Sequence, residues 1–172
     1  MGGLAIHRSI PLSQGRVCWV DQSDYQMLRA FCWSYSRSAT SVGYASRMAT
    51  CGGKKCGLSM HRMIMLPDPG QQVDHINLNG LDNRRKNLRL CTPSQNHANR
   101  RRDGNPRSRY RGVAWLRRDS KWKAQVKRDH KCVNLGHFHD EVAAALAYDV
   151  AALSVFGEFA WPNFLRLEGM PV

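Results

Sequence analysis

Acidic residues are scarce in this chain of 172 residues. It has 13 Asp and Glu against 26 Lys and Arg, which gives a formal net charge of +13 and a pI of about 10.0. A balance this basic indicates a polyanionic partner. The imbalance is concentrated, because residues 84–131 contain 17 of the 26 basic residues and only three acids. A solubilising surface would mix its signs, so this block suits a phosphate backbone.

Long apolar runs and a dense cysteine pattern are also missing. No run reaches the length of a membrane-spanning helix and no secretory leader opens the sequence, so we expect no membrane partner. The six cysteines lack the spacing of a disulfide framework, and we expect free thiols in a reduced, intracellular protein. Cys51 and Cys56 could begin a zinc site, but the second pair that such a site needs is not evident.

Apolar and aromatic residues are nevertheless sufficient for a folded core. The chain is 42% hydrophobic and contains five each of Trp, Tyr and Phe, which argues against disorder. The patterns predict an α+β protein without internal repeats. We divide it into residues 1–58, a strand and helix region that is a possible contact with the phosphate backbone; residues 59–104, which end in a basic linker; residues 105–165, a second small domain; and a tail over residues 166–172.

In the N-terminal part of the chain, the sequence predicts short strands and helices. Strand material over residues 4–20 is interrupted by a Ser-Gln-Gly turn, and Asp21 is the expected N-cap of a helix reaching Trp33. A strand over 43–49 and a loop over 51–57 follow. The next helix ends before Pro67. We interpret its His61 as a packing residue and its Arg62 as a surface residue.

A dense polar stretch, residues 73–90, is not core material and needs another explanation. Phosphodiester hydrolysis requires a metal to hold the phosphate, a base to deprotonate water and groups that fix both. Asp74 supplies a hard oxygen ligand of the kind that Mg²⁺ prefers, and His75 is the candidate base. Because neighbours on a regular strand face opposite sides, the two act together only if the strand end twists.

Two further polar residues extend this constellation. Asn87 begins the second strand, where its amide can tie the intervening loop closed. A helix then begins at Thr92 and Pro93, and its Asn96 offers a second oxygen ligand. His97 is the alternative ligand. Only one of these neighbours can face a metal, because successive helical residues are about 100° apart.

The stretch "DHINLNGLDNRRKNLRLCTPSQNHAN" resembles the HNH nuclease module of phage and intron-encoded homing endonucleases. The resemblance covers residues 59–100 and implies a ββα-metal fold, in which two strands and a helix grip one divalent cation. It implies His75 as the general base, Asp74 and Asn96 as metal ligands, and Asn87 as the residue that orders the loop. The cation would be Mg²⁺, with Mn²⁺ as the alternative. Many relatives carry His where this chain has Asn96.

The C-terminal region predicts three antiparallel strands packed on one Ala-rich helix, which Asp140 caps and Gly157 ends. Residues 108–164 resemble the ethylene-response-factor (ERF) type of DNA-binding domain, through "YRGV", Trp122, "LG", Phe138, "AYD" and "NF". In that family the sheet enters the major groove. Trp122 is predicted to be core. The predicted DNA contacts are Arg100, Arg101, Arg109, Arg111, Trp115, Arg117, Lys121, Lys123, Gln125 and Lys127.

These observations favour a site-specific, divalent-metal-dependent endonuclease of the homing type that acts on double-stranded DNA. With one catalytic set in the chain, a nicking monomer is expected, in the cytoplasm of a bacterial host if the protein is phage-encoded. The alternative is a sequence-specific DNA-binding regulator with an inactive HNH module. A structural RNA-binding protein would leave the Asp-His-Asn constellation unexplained.

Overall fold

A computed structural model describes residues 7–37, 43–99, 108–129 and 131–165. The chain forms two compact units, residues 1–92 and 93–172. Helices and strands are mixed in both, which confirms the predicted α+β class. The predicted limits of the functional domains stay a prediction, and Arg100, Arg101 and the tail lie outside the described residues.

The first unit contains three small antiparallel sheets and two short helices. Strands β1 and β2 form a hairpin around a 3₁₀ turn, β3, β4 and β5 form a sheet in that order, and β6 pairs with β7. In chain order the elements are β1 His7–Pro11, β2 Val17–Asp21, α1 Gln22–Leu28, β3 Ser34–Ser36, β4 Tyr44–Cys51, β5 Lys54–Ser59, α2 Met60–Met65, β6 Gln72–His75 and β7 Leu88–Cys91.

Helix α1 is shorter than the sequence predicts. It ends at Leu28 because the Trp33 indole nitrogen donates to the Leu28 carbonyl at 2.9 Å, and the chain then enters β3. Asp21 stands at the N-cap position, but its side chain makes no capping bond. The Asp21 carboxylate instead accepts a hydrogen bond from the Arg85 backbone nitrogen at 2.8 Å, far along the chain.

The predicted loop over 51–57 is wrong. It is a β-hairpin whose two turn residues, Gly52 and Gly53, have φ of 56° and 78°, values that glycine adopts without a steric penalty. Cys56 is disulfide-bonded, so the expectation of free thiols fails there and Cys56 has no thiolate for zinc. Among the other described cysteines, Cys18, Cys32, Cys91 and Cys132 are free.

One apolar core joins the three sheets of the first unit. Val20 and Leu28 contribute from the N-terminal elements, Met60 and Ile64 from α2, and Leu88 from β7, all almost fully buried. Burial of such side chains contributes about 1.5–3 kcal/mol each. The β6–β7 hairpin, which carries Asp74 and His75, is therefore held by the residues that precede it.

The second unit contains α3 Pro93–Ala98, β8 Val113–Leu116, β9 Lys121–Arg128, β10 Lys131–Phe138 and α4 Glu141–Phe156. The strands form an antiparallel sheet with β9 at its centre, as predicted. Asp140 caps α4, since its carboxylate accepts from the Ala143 backbone nitrogen at 2.8 Å. Gly157 ends the helix with φ of 54°.

Helix α4 packs on one face of the sheet through small side chains. Ala144 and Ala145 contact Val113 and Ala124, and all four are nearly inaccessible to solvent. Trp122 packs partly buried against this cluster, on the predicted core side. By length and composition, Glu141–Phe159 would be able to cross a membrane, contrary to the prediction that no run is long enough, although core helices also pass that test.

Candidate active site

His75 lies at the end of β6, opposite Leu88 of β7, and its side chain is 4% exposed. Its Nε2 is 3.3 Å from the Asn83 side-chain oxygen. Asn83 is fully buried, its side-chain nitrogen donates to the Gly80 carbonyl at 3.4 Å, and its backbone nitrogen donates to the Trp19 carbonyl at 2.8 Å. The amide oxygen of Asn83 therefore faces His75 as an acceptor.

This orientation fixes the tautomer of a neutral His75. An amide oxygen has no proton, so the hydrogen bond requires the proton on Nε2 of His75. The Nδ1 atom then carries the lone pair that can accept a proton. Burial lowers the pKa of His75 below its ordinary value, although the Asn83 bond and the nearby Asp74 carboxylate act in the opposite direction. The neutral, proton-accepting form is favoured.

Two rings pack against His75. Tyr44, at the start of β4, has its ring centroid 5.6 Å from that of His75, and His61 of α2 is 5.1 Å away with an interplanar angle of 83°. Tyr44 and His61 also contact each other, with centroids 5.5 Å apart. Burial lowers the pKa of His61 to about 3, so this ring is neutral too.

Asn87 closes the loop between β6 and β7 with both ends of its amide. Its side-chain oxygen accepts from the Asn77 backbone nitrogen at 3.0 Å, and its side-chain nitrogen donates to the Asp82 carbonyl at 2.8 Å. The Asp82 carboxylate in turn accepts from Arg84 at 2.6 Å. These bonds hold the loop that carries Asn83, and hence the partner of His75.

Asp74 precedes His75 and is 4% exposed. Arg89, its partner on β7, places Nε at 2.9 Å and Nη2 at 2.8 Å from Oδ2 of Asp74. The Arg89 guanidinium compensates the charge of the buried Asp74 carboxylate and fixes its orientation. Asp74 thus contacts Arg89, whereas His75 contacts Tyr44 and His61.

Comparison with known proteins identifies the family. Residues 65–98 match a family model described as HNH endonuclease. An uncharacterized HNH endonuclease of Acanthamoeba polyphaga mimivirus is 30% identical over 156 residues, which cover 87% of this chain and 76% of that protein. The chain belongs to the HNH endonuclease family. The residues that match the family model include β6, β7 and α3, and therefore His75 and its hydrogen-bond partner.

Two rice (Oryza sativa subsp. japonica) proteins are similar to part of this HNH endonuclease. An AP2/ERF and B3 domain-containing protein is 51% identical over 57 residues, covering 33% of this chain and 15% of that protein. A putative AP2/ERF and B3 domain-containing protein is 46% identical over 74 residues, covering 43% of this chain and 22% of that protein.

The remaining candidate ligands lie on α3, in the second unit. Asn96 is partly buried and His97 is exposed, and the His97 carbonyl accepts from Arg111 at 3.2 Å. The choice between Asn96 and His97 stays a prediction. Within the described residues, no three side chains of His, Cys, Asp or Glu group together as a metal site. The donors that suit a hard cation are the Asp74 carboxylate and an amide oxygen.

The predicted DNA contacts fall into two groups. Lys121, Lys123, Gln125 and Lys127 alternate on β9 with the buried Ala124 and Val126, so they share the sheet face opposite α4. Trp115 instead pairs with Trp122 at a centroid distance of 4.9 Å, on the helix side. With Arg117 and His139 these two rings line an open cavity of about 550 Å³.

The two arginines before β8 have contacts within the second unit. Arg111 donates from its backbone to Asn163 at 2.7 Å and from its guanidinium to the His97 carbonyl. Arg109 is exposed and its guanidinium lies 4.9 Å from the Tyr110 ring centre. The structure therefore does not group Arg109, Arg111, Trp115 and Arg117 with the lysines of β9.

Several residues of this site are not found by sequence reasoning. Asn83 and Arg89 belong to the stretch that resembles the family, but the residues alone assign neither of them a role. His61 is predicted to be a packing residue, and Tyr44 only part of a strand. Tyr44 and His61 reach His75 by packing from β4 and α2, and a single sequence does not contain such tertiary contacts.

Proposed function

We propose that the protein is a site-specific, divalent-metal-dependent DNA endonuclease of the homing type that nicks double-stranded DNA as a monomer. The observation that carries this proposal is the buried His75, whose Nε2 lies 3.3 Å from the Asn83 side-chain oxygen. A histidine held neutral with one nitrogen committed is suited to general-base catalysis near neutral pH.

The residues around His75 have distinct roles in this proposal. His75 Nδ1 accepts a proton from the water that attacks the phosphorus. Asn83 keeps the His75 ring in the productive tautomer and orientation, and Asn87 holds the loop on which Asn83 lies. Arg89 orients Asp74 through Oδ2. Such fixed orientation is what converts bound groups into effective catalysts.

The proposed cation is Mg²⁺, with Mn²⁺ as the alternative. The side chains fit a hard cation, since Asp74 is a buried carboxylate and Asn96 has an amide oxygen. Asp74 and Asn96 would hold the ion, and phosphate oxygens and water would complete its coordination. When bound, the cation would offset charge on the phosphate and on the departing oxygen.

We assign target binding to the second unit. Its three-stranded sheet packed on α4 is the fold expected of an ERF-like domain, and the partial likeness to the rice proteins supports that assignment. The open face of β9 carries three lysines and a glutamine and is suited to a DNA groove. The basic residues 84–131 supply the phosphate affinity.

Cleavage of DNA containing a candidate insertion site tests the proposal. Wild type and His75→Ala are compared with Mg²⁺, with Mn²⁺ and with chelator, and DNA binding is measured in parallel. We expect metal-dependent nicking by wild type, and loss of nicking with retained binding in His75→Ala. Tight binding without cutting under either metal would instead favour the regulator with an inactive HNH module.

A further inference from the structure

We propose that Tyr44 and His61 are positioning residues that form an aromatic cradle, which sets the ring orientation of His75. This inference rests on the proposed function, because it assigns a role within the same site. The three ring centroids lie 5.1–5.6 Å apart in every pairing, so each ring contacts both others. Rotation of the His75 ring would therefore change its packing against at least one of the other two rings.

The cradle restrains the orientation of the His75 ring, which the Asn83 hydrogen bond alone does not determine. A single bond of 3.3 Å at Nε2 restrains one atom, but it allows the imidazole to swing about that contact. Tyr44 packs against the His75 ring at an interplanar angle of 45°, and His61 packs at 83°. Offset and edge-to-face contacts of this kind favour one relative orientation of two rings over others. Together with Asn83 they define where Nδ1 points.

His61 shows that this packing is not optimised for stability. Its Nδ1 is buried, and among the described residues no atom hydrogen-bonds to it. A buried polar atom without a hydrogen-bond partner destabilises the fold, so an apolar side chain would fill this position at lower cost. An imidazole kept at such a cost, in contact with the base, indicates a role in the site.

The Tyr44 ring packs against Gly80 in the loop between β6 and β7. A Cβ at Gly80 would lie 2.6 Å from the Tyr44 ring and would overlap the Gly43 carbonyl. The same loop carries Asn83 three residues later. The hydrogen-bond partner of His75 and the support of its cradle are thus coupled through one segment.

The test compares ring-removing with ring-preserving variants. Tyr44→Leu and His61→Leu remove one wall each, whereas Tyr44→Phe keeps the ring. Phe31→Leu is the matched control, because Phe31 makes an edge contact with Trp33 in the same unit, 6.4 Å between centroids, and none with His75. Each folded variant is assayed for the single-turnover cleavage rate and for the DNA Kd.

We expect Tyr44→Leu and His61→Leu to lower the cleavage rate by up to about 100-fold with an unchanged Kd, because a small misplacement of a catalytic group is enough. Tyr44→Phe and Phe31→Leu should cleave like wild type. Leucine variants that cleave at the wild-type rate would overturn the cradle, and so would a loss of rate of equal size in Phe31→Leu.

A second readout separates this inference from the proposed function. The ¹⁵N shifts of the His75 ring report its tautomer without any cleavage. We expect the Nε2-protonated form in wild type and in Tyr44→Phe, and a mixture of tautomers in the two leucine variants. An unchanged tautomer would overturn the cradle even if wild type cuts DNA. A wild type that does not cut, but shows these shifts, would overturn only the function.

Discussion

One residue near His75 that is constrained by space is a glycine in the neighbouring loop. Gly80 is buried and is pressed between the Gly43 carbonyl and the Tyr44 ring. Its constraint is space, since its φ lies outside the left-handed region. Gly57 on β5 is the opposite case, because a Cβ added there would meet nothing within 4 Å and its φ is ordinary.

Gly80→Ala should therefore destabilise the protein by about 1–3 kcal/mol, because the added methyl group overpacks the loop against Tyr44. The cleavage rate should fall with it, since Tyr44 contacts His75. Gly57→Ala is the control and should leave both unchanged. Urea denaturation and a nicking assay measure the two effects, and equal behaviour of the two variants would contradict the prediction.

The buried His61 makes stability depend on pH. The unfolded chain takes up a proton at His61 near pH 6.5, whereas the folded pKa is about 3. The folded-state pKa is depressed, so this contribution is fully present above pH 6.5 and is lost as the pH falls toward 3. His61→Leu should reduce the slope of unfolding free energy against pH by up to about 1.4 kcal/mol per pH unit. Urea titrations at pH 4–7 measure it; parallel slopes would refute it.

At the scale of elements, the β1–β2 hairpin is hydrogen-bonded to the loop between β6 and β7. The Trp19 backbone in β2 accepts from Asn83 and donates to the Leu81 carbonyl, both at 2.8 Å. Arg85 donates to both oxygens of Asp24 in α1, at 2.8 and 2.7 Å. Asp24 is 5% exposed, so Arg85 compensates a buried charge.

Arg85→Ala should cost about 1–3 kcal/mol, because it leaves the Asp24 carboxylate buried without its cation. The double variant Asp24→Leu with Arg85→Ala should recover part of this loss, since no charge is then buried alone. Denaturation of the two single variants and the double variant forms a complete cycle. Additive losses would show that the pair does not interact as the structure places it.

At the scale of the whole molecule, charge is separated by face as well as by sequence. The lysines of β9 lie opposite the apolar face under α4, and the Trp115 and Trp122 rings lie on that helix side. A polyanion that binds the sheet therefore meets Lys121, Lys123 and Lys127 before it meets either tryptophan.

Binding of double-stranded DNA should weaken as salt is added, and log Kd should rise linearly with the logarithm of the salt concentration. Lys123→Ala should reduce that slope by about 1, because one phosphate contact and its released counterion are lost. Trp115→Phe, on the other side of the sheet, should leave the slope unchanged. Fluorescence anisotropy over a salt series provides both slopes, and a change for Trp115→Phe alone would reverse the assignment of faces.

Local signals account for the parts of the fold that the sequence predicts correctly. The strands β6 and β7, the cap of α4 by Asp140 and the alternation of β9 are all predictable, because caps and periodicity act over a few residues. The tight Gly52-Gly53 turn is wrongly predicted as part of a loop. The end of α1 is also mispredicted, since it depends on the Trp33 indole rather than on a helix-stop residue.

The site is only partly predictable for the same physical reason. Asp74, His75 and Asn87 lie within 14 positions and carry recognisable chemistry. Tyr44 and His61 reach His75 from β4 and α2, and their role arises from packing alone. Distant contacts of this kind leave no periodic pattern in one sequence.

The bond between Asp24 and Arg85 also has a consequence for synthesis on the ribosome. The two residues are 61 positions apart, so at roughly 5–20 residues per second the carboxylate waits about 3–12 seconds for its cation. Until then helix α1 cannot bury Asp24 without a large desolvation cost, so we expect the first unit to complete its packing only after Arg85 has been synthesised.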